Sequence, residues 1–326
     1  MAGGLGDRVP QGLNKVLKGS RVHMEIIIRY FNKLIRQREL VFMMIPIVVY
    51  VFIFSYLPLK GWQMAFQEHF PMLPNRVEPW YRHFHFLFTQ SGFGRIMRNT
   101  LSMSVINLVL GFTCAIFLAL MINEIRQKFT KRVVQTISYL PHFLSWVIAC
   151  SLIANFLAGD GIVNQVLVSL GLIERPIIFL ADADSFWWIV GWSNVWKSVG
   201  WNTIIYLAAI TSIDPELYES AELDGAGRFA RIWHITLPGI KSTILVLVIM
   251  NIGWILNAGF EIQWLLSNDL TMDRAETIDV FVVNYAFRMR NFSLATAIGM
   301  FKTVVGVILI TGANFLSKRV AKESLI

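Results

Sequence analysis

Apolar residues run along this chain in long blocks separated by short charged stretches. Residues 40–59, 99–123 and 133–159 contain no Asp, Glu, Lys or Arg, and 242–260 is likewise uncharged. Two further blocks each hold one charge, 185–213 at Lys197 and 291–317 at Lys302. A membrane-crossing helix needs about 20 mostly apolar residues. The pattern therefore predicts six spans and an all-α, polytopic transmembrane helical bundle. Ahead of the first span, Ile26, Ile27, Tyr30, Phe31, Leu34 and Ile35 recur at three- and four-residue steps, with Arg29, Lys33 and Arg36 between them. That period is an amphipathic helix lying on the membrane surface, its cations near anionic headgroups.

Composition agrees and removes alternatives. Hydrophobic residues make up 55% of the 326 and charged ones 15%, against a usual quarter. Disorder, which needs low hydrophobicity and high charge, is excluded. Two cysteines, Cys114 and Cys150, are too few for a disulfide framework or a four-cysteine zinc site, and both sit in apolar runs as small hydrophobes. The net charge of +8 accompanies no nucleic-acid-binding motif, so nucleic acid is not an expected partner. Sorting the cations explains the excess instead. Segments 1–39, 124–132, 214–241 and 318–326 together hold eighteen Lys and Arg, whereas 60–95, 160–184 and 267–290 hold eight. The richer side is cytoplasmic by the positive-inside rule, which puts both termini inside. The expected organisation is a basic cytoplasmic segment 1–39, a six-span domain 40–317 and a cytoplasmic tail 318–326. The first apolar run begins near residue 40 without a small-residue cleavage pattern, so it reads as a retained span.

The segment 214–241 is the most informative. Asp214-Pro215-Glu216 is a helix start: an Asp cap, Pro at the first helical position, an acid in the first turn. The helix should run to Leu223 and stop at Asp224-Gly225-Ala226-Gly227, where glycine permits a tight turn. A second short helix, Arg228 to about Ile235, leads to Leu237-Pro238, with Pro238 opening the fifth span. Five of the chain's acids lie between Asp214 and Asp224. A protruding helix-turn-helix with acidic and aromatic surface suits docking to a protein.

These residues also carry a resemblance. Glu219-Ser220-Ala221, then three residues, Gly225, nine residues, and Ile235-x-Leu237-Pro238 is similar to the EAA loop of bacterial ABC importer permeases, and Asp224-Gly225-Ala226 fits the D-G-A common there. Ser220 departs from the usual Ala. The resemblance implies a type I ABC importer permease fold in the bacterial plasma (inner) membrane, with 214–241 as coupling loop. In such proteins that loop seats in a cleft of an ATP-binding subunit. It implies roles there for Glu219, Ser220, Ala221, Asp224, Gly225, Ala226, Ile235, Leu237 and Pro238. The implied partners are a second, similar permease as heterodimer, two ATP-binding subunits and an extracytoplasmic solute-binding protein, in membrane lipid. The chain lacks the GxxxxGK[ST] phosphate loop, so no cofactor is expected in it, and ATP with Mg²⁺ belongs to the partner ATPase. It is a transport subunit and not an enzyme. Tyr139-Leu140-Pro141-His142-Phe143 and Gly200-Trp201-Asn202-Thr203-Ile204-Ile205-Tyr206-Leu207-Ala208 resemble the carbohydrate branch, of the poly- and oligosaccharide, LplB-like type. The implied substrate is an oligosaccharide.

Polar groups within spans are costly and mark packed interiors or water-filled paths. In span four, Asn194, Lys197, Ser198 and Trp201 fall on one face; in span five, Asn251, Trp254, Asn257 and Glu261 form one stripe. Trp with amides and charges suits a sugar: rings stack on its C–H face, amides bind its hydroxyls. Interhelical hydrogen bonding favours the same faces, so both uses stay open. Lys197, Glu261 and Lys302 are the charges well inside spans; pairing Glu261 with a lysine is the cheapest arrangement, and an unpaired Lys197 or Lys302 would attract an acidic sugar such as a uronic-acid oligomer. Trp187 and Trp188 read as interfacial belt residues, and His142 as packing at a helix kink. No metal-ligand spacing is present. The alternative class, a self-sufficient secondary transporter, calls for inverted repeats and an intramembrane ion site, and no clear repeat is visible.

Overall fold

The computed structural model describes residues 36–70, 73–76 and 79–320. The predicted surface helix at 26–35 lies outside them, as do residues 321–326. The chain separates into two units, Met1–Trp62 and Gln63–Ile326.

In the first unit, Arg38–Val51 is α-helical through Pro46 and continues as a π-turn at Phe52–Tyr56. From Leu40 to Leu59 it presents an uncharged, almost wholly apolar surface with no buried residue. Such a helix, hydrophobic all round, suits lipid contact.

In the second unit, an antiparallel hairpin pairs Gln67–Phe70 with Leu73–Arg76, and the short helix Arg82–Thr89 follows. Phe93–Asn123 is a 31-residue helix, about 46 Å long at 1.5 Å per residue. It packs along the 26-residue helix Phe186–Thr211. Gly191 and Gly200 allow the close approaches of the latter. A Cβ at Gly191 would lie 2.6 Å from Ile106 Cγ2, and one at Gly200 would lie 2.0 Å from the Ser138 carbonyl oxygen. Small residues at crossings are how membrane helices approach. Ala115, Ala119 and Ile122 meet Tyr206, Leu207, Ile210 and Ile240 at one end of this pair. Met103, Phe186, Val190 and Ile262 form a second cluster further along.

Among the described residues three helices are long and apolar enough to cross a membrane: Arg38–Phe66, Phe93–Asn123 and Phe292–Phe315. Counting each of two bent pairs as one span brings the number to five. Phe186–Thr211 has the length but not the apolarity, because Ser193, Asn194, Lys197, Ser198 and Asn202 dilute it. The uncharged run 133–159 is not one straight span. Lys128–Phe143 and Trp146–Phe156 meet at 104°, with Pro141 in the 3-10 turn between them and Ser145 Oγ capping the second helix at Ile148 N. The run 242–260 is also interrupted. Its helix is Lys241–Gly253, bent 55° from Arg228–Gly239, and 254–260 is irregular. Thirteen residues rise only about 20 Å, short of the ~30 Å hydrocarbon layer. The last helix runs from Phe292 to Val320, so the expected tail boundary at 318 falls inside a helix.

Side chains of Phe93–Asn123 fasten the chain between the last two spans. Asn99 Nδ2 donates to the carbonyls of Asp273 (2.8 Å) and Glu276 (3.1 Å), and the Ile278 amide donates to Thr100 Oγ1 (2.9 Å). All are buried or part-buried, so each bond satisfies a backbone group that no helix serves.

Candidate functional site

The Asp214–Lys241 segment folds as its residues dictate. Asp214 Oδ1 accepts from the Glu216 amide at 3.0 Å, and Pro215 opens the helix Pro215–Leu223. The helix ends in a Schellman turn. Gly225, at φ +78°, donates to the Glu222 carbonyl (3.1 Å), and Ala226 donates to the Ala221 carbonyl (2.8 Å). Glu219, Ser220, Asp224 and Pro238 are exposed, while Ala221, Ala226, Ile235 and Leu237 are half-buried. Arg228–Arg231 leads into a π-turn at Ile232–Thr236 and on to Gly239, so the helix passes through Pro238 instead of ending there. Buried Thr236 meets Tyr218 Oη at 2.9 Å and ties the two helices together. Leu237 packs on the Ala115–Tyr206 cluster. Leu223 and Phe229 stand 90% and 88% exposed at the tip. Arg231 pairs with Glu222 at 3.1 Å, whereas Glu216, Glu219 and Asp224 carry no ion pair among the described residues.

Between helices Phe93–Asn123, Phe186–Thr211 and Lys241–Gly253 lies a cleft of about 300 Å³. Its polar walls are Ser104, Asn107, Asn202, Asn251 and Asn257, with Trp254 and Tyr206 as aromatic faces. The break at 254–260 borders it, as it must: open backbone at membrane depth is tolerated only against protein or a polar cavity. Gln263 Nε2 steadies the break by donating to the Ala258 carbonyl at 2.6 Å, and Gly259 turns it at φ +95°. Ser104 Oγ is buried without a hydrogen-bond partner among the described residues.

The expected path residues divide. Asn251, Trp254 and Asn257 line the cleft, and Asn194 Nδ2 donates to Asn107 Oδ1 in its wall (3.2 Å). Lys302 Nζ donates to Asn257 Oδ1 at 2.7 Å from an adjoining cleft of about 400 Å³ that shares Trp254 and Asn257. Lys197 and Trp201 belong to another cluster. Lys197 Nζ donates to the His142 carbonyl (2.9 Å) and lies 5.0 Å over the Trp146 ring, and His142 stacks on Trp201 at 4.6 Å. His142 thus packs at the 104° bend. Glu261 leaves the stripe because the helical step fails after Gly253, and it stands exposed at the start of Glu261–Leu266. Its expected pairing with a lysine is corrected as well: Lys302 pairs with Asp279 from the neighbouring helix Ile278–Val283. Trp187 is half-buried, donates to the Arg274 carbonyl at 2.9 Å and carries that guanidinium over its ring, while Trp188 is exposed. Ser104 and Asn107 escaped the sequence reading, and Asn202 and Tyr206 entered it only within the stretch that carries a resemblance. Ser104, Asn107 and Gly111, at steps of three and four in an uncharged run, were the available signal. No group of three metal-ligating side chains occurs among the described residues.

Residues 107–322 match the family described as binding-protein-dependent transport system inner membrane component. The chain belongs to that family. Over 301 residues it is 41% identical to Protein LplB of Bacillus subtilis (strain 168), covering 91% of this chain and 94% of that one. It is 42% identical over 300 residues to the polygalacturonan/rhamnogalacturonan transport system permease protein YteP of the same organism, covering 91% and 93%. A crystal structure of a bacterial ABC transporter that imports the acidic polysaccharide alginate superposes with TM-score 0.81 at 40% identity, over 90% of this chain and 99% of that chain. A second structure of an alginate ABC transporter, in complex with an alginate pentasaccharide-bound periplasmic protein, gives 0.82 at 39%, over 91% and 100%. This inner membrane component is therefore the permease subunit of an ABC importer served by a solute-binding protein, and ATP hydrolysis resides in a separate subunit. The family explains the architecture found here: long helices for lipid, and a cleft between them that no single helix could form.

Proposed function

We infer that this permease passes acidic oligosaccharides, of the uronic-acid class, through the amide-lined cleft at Ser104, Asn107, Asn202, Asn251, Trp254 and Asn257. What carries the reading is that cleft. Four amides, a hydroxyl and two aromatic faces converge where three helices would otherwise pack dry. Amides offer donors and acceptors to sugar hydroxyls, and Trp254 offers a face to the ring. Lys302 is neutralised by Asp279 and donates to Asn257 Oδ1, so it orders the cleft wall and adds no free cation to it. The relatives named for polygalacturonan and alginate support an acidic cargo.

Both termini and the 214–241 loop face the cytoplasm in this reading, on the positive-inside tally. The loop couples transport to the ATPase: Glu219, Ser220 and Asp224 make polar contacts, Gly225 forms the turn, and Ala221, Ala226, Ile235, Leu237 and Pro238 set the frame. A second, similar permease completes the path as a heterodimer, and two ATPases bind ATP with Mg²⁺. Proteoliposomes holding the complete importer and its binding protein should take up trigalacturonate or an alginate pentasaccharide, and Asn251→Ala with Asn257→Ala should lower that uptake about tenfold or more. Uptake of neutral maltotriose alone would overturn the acidic-substrate reading.

A further inference from the structure

Residues 68, 82–96 and 276–294 contribute two clefts that share Tyr285 and Met289 as a common wall. One, of about 380 Å³, is lined by Glu68, Arg82, His83 and Arg290. The other, of about 360 Å³, is lined by Gln90, Arg95, Glu276, Asn284 and Arg288. Each is large enough for a small ligand. His83 Nε2, Gln90 Nε2 and Asn284 Oδ1 are buried in these walls with no hydrogen-bond partner among the described residues. A buried polar atom without a partner is costly. Three of them in adjoining clefts call for a ligand rich in hydroxyls.

Charge points the same way. Arg82 is matched by Glu68 at 2.7 Å, and Arg95 by Asp273 at 3.0 Å and Glu276 at 2.7 Å. Arg288 and Arg290 pair with no acid among the described residues. The Arg288 guanidinium lies 4.9 Å over the Trp264 ring, which holds it without neutralising it. Arg82, Arg95, Arg288 and Arg290 are half of the eight cations in the cation-poor loops, where the positive-inside rule gives no reason for them. The backbone is unusual as well. Asn284–Arg288 is a π-turn, and Arg290 has φ +53°, a conformation rare outside glycine. Both features concentrate at ligand sites.

We propose that the paired clefts around Tyr285 and Met289 are a receiving site for the acidic oligosaccharide between the binding protein and the amide-lined cleft. Carboxylates sit on Arg288 and Arg290, and hydroxyls on His83, Gln90 and Asn284. The proposal rests on the acidic-substrate reading above and on the external placement of these loops. A protein dock would display its cations on a flat face; here the exposed Arg288 and Arg290 line concave clefts whose walls hold the buried His83, Gln90 and Asn284 atoms, which fits the sugar itself.

The test uses the complete importer in lipid nanodiscs, with trigalacturonate and the alginate pentasaccharide as probes carried by the binding protein. ATPase rate is followed against the concentration of loaded binding protein. In Arg288→Gln with Arg290→Gln, the maximal rate should fall about tenfold while the half-saturating concentration holds. Lysine at both positions should keep most of the rate. Arg290 is exposed, so Arg290→Gln alone serves if the double variant fails to assemble, and should show the same fall in smaller measure. An unchanged maximal rate overturns the proposal alone. A rise in half-saturation with the maximum intact makes the surface a protein dock and overturns it too. If the wild type responds to neither probe, the acidic-substrate reading falls and takes the proposal with it.

Discussion

At the scale of single residues, the deciding quantity is the cost of a polar group in a place water does not reach. Lys302 meets that cost through Asp279 and Asn257, with side chains only 12% and 23% exposed for the ion pair. Removing one partner strands the other, which is worse than removing both. Lys302→Met should lower stability by about 3 kcal/mol, and Lys302→Met with Asp279→Asn should recover a large part. Thermal unfolding of the purified complex measures both; equal losses would show that the pair is not coupled. His83 makes a pH prediction. Burial is the main cause that lowers its pKa from the usual 6.5, so the folded protein holds the neutral ring while the unfolded chain protonates first. The contribution to stability is then complete above pH 6.5 and declines as the pH falls below it. His83→Gln should flatten the loss between pH 6.5 and 5 in the same assay.

At the scale of elements, hydrophobic blocks located helices but not their breaks. The run 133–159 is apolar throughout, yet Pro141 and the Ser145 cap turn it by 104°. The stripe Asn251–Trp254–Asn257–Glu261 assumed a helix that ends at Gly253. Its first three members still share a cleft because the chain folds back beside it, and Glu261 does not. Local chemistry read well where it was local: Asp214, Pro215 and Gly225 act within a few residues of themselves. Gly200 was quoted only as part of a resemblance, and its reason is a crossing. With 2.0 Å between an added Cβ and the Ser138 carbonyl, the helices must separate. Gly200→Ala should cost about 1–3 kcal/mol and reduce the yield of assembled complex, whereas Gly111→Ala, with open space around it, should not.

At the scale of the whole molecule, the chain is one subunit of an importer, and one of its surfaces has meaning only with a partner. Leu223 and Phe229 are nearly fully exposed at the tip of the 214–241 loop. Apolar side chains on a water-facing tip are covered in an assembly. Leu223→Asp with Phe229→Ser should abolish co-purification of the ATPase while leaving the permease in the membrane; retained ATPase would place the coupling contact elsewhere.

The sequence alone determined that this is a polytopic helical membrane protein with a capped helix-turn-helix at 214–241 and a topological charge bias, and the resemblance carried by that loop pointed to a permease. Apolar length, a cap and a glycine turn are each carried within about twenty residues, and the cation tally needs only the order of residues along the chain. Only the tertiary structure decided which polar groups meet. Asn107 and Asn202 join Asn251 across three helices, Lys302 takes Asp279 in place of Glu261, and Lys197 turns to the His142 carbonyl. Such pairings depend on where helices break and cross, and those are settled by contacts between residues far apart in the chain.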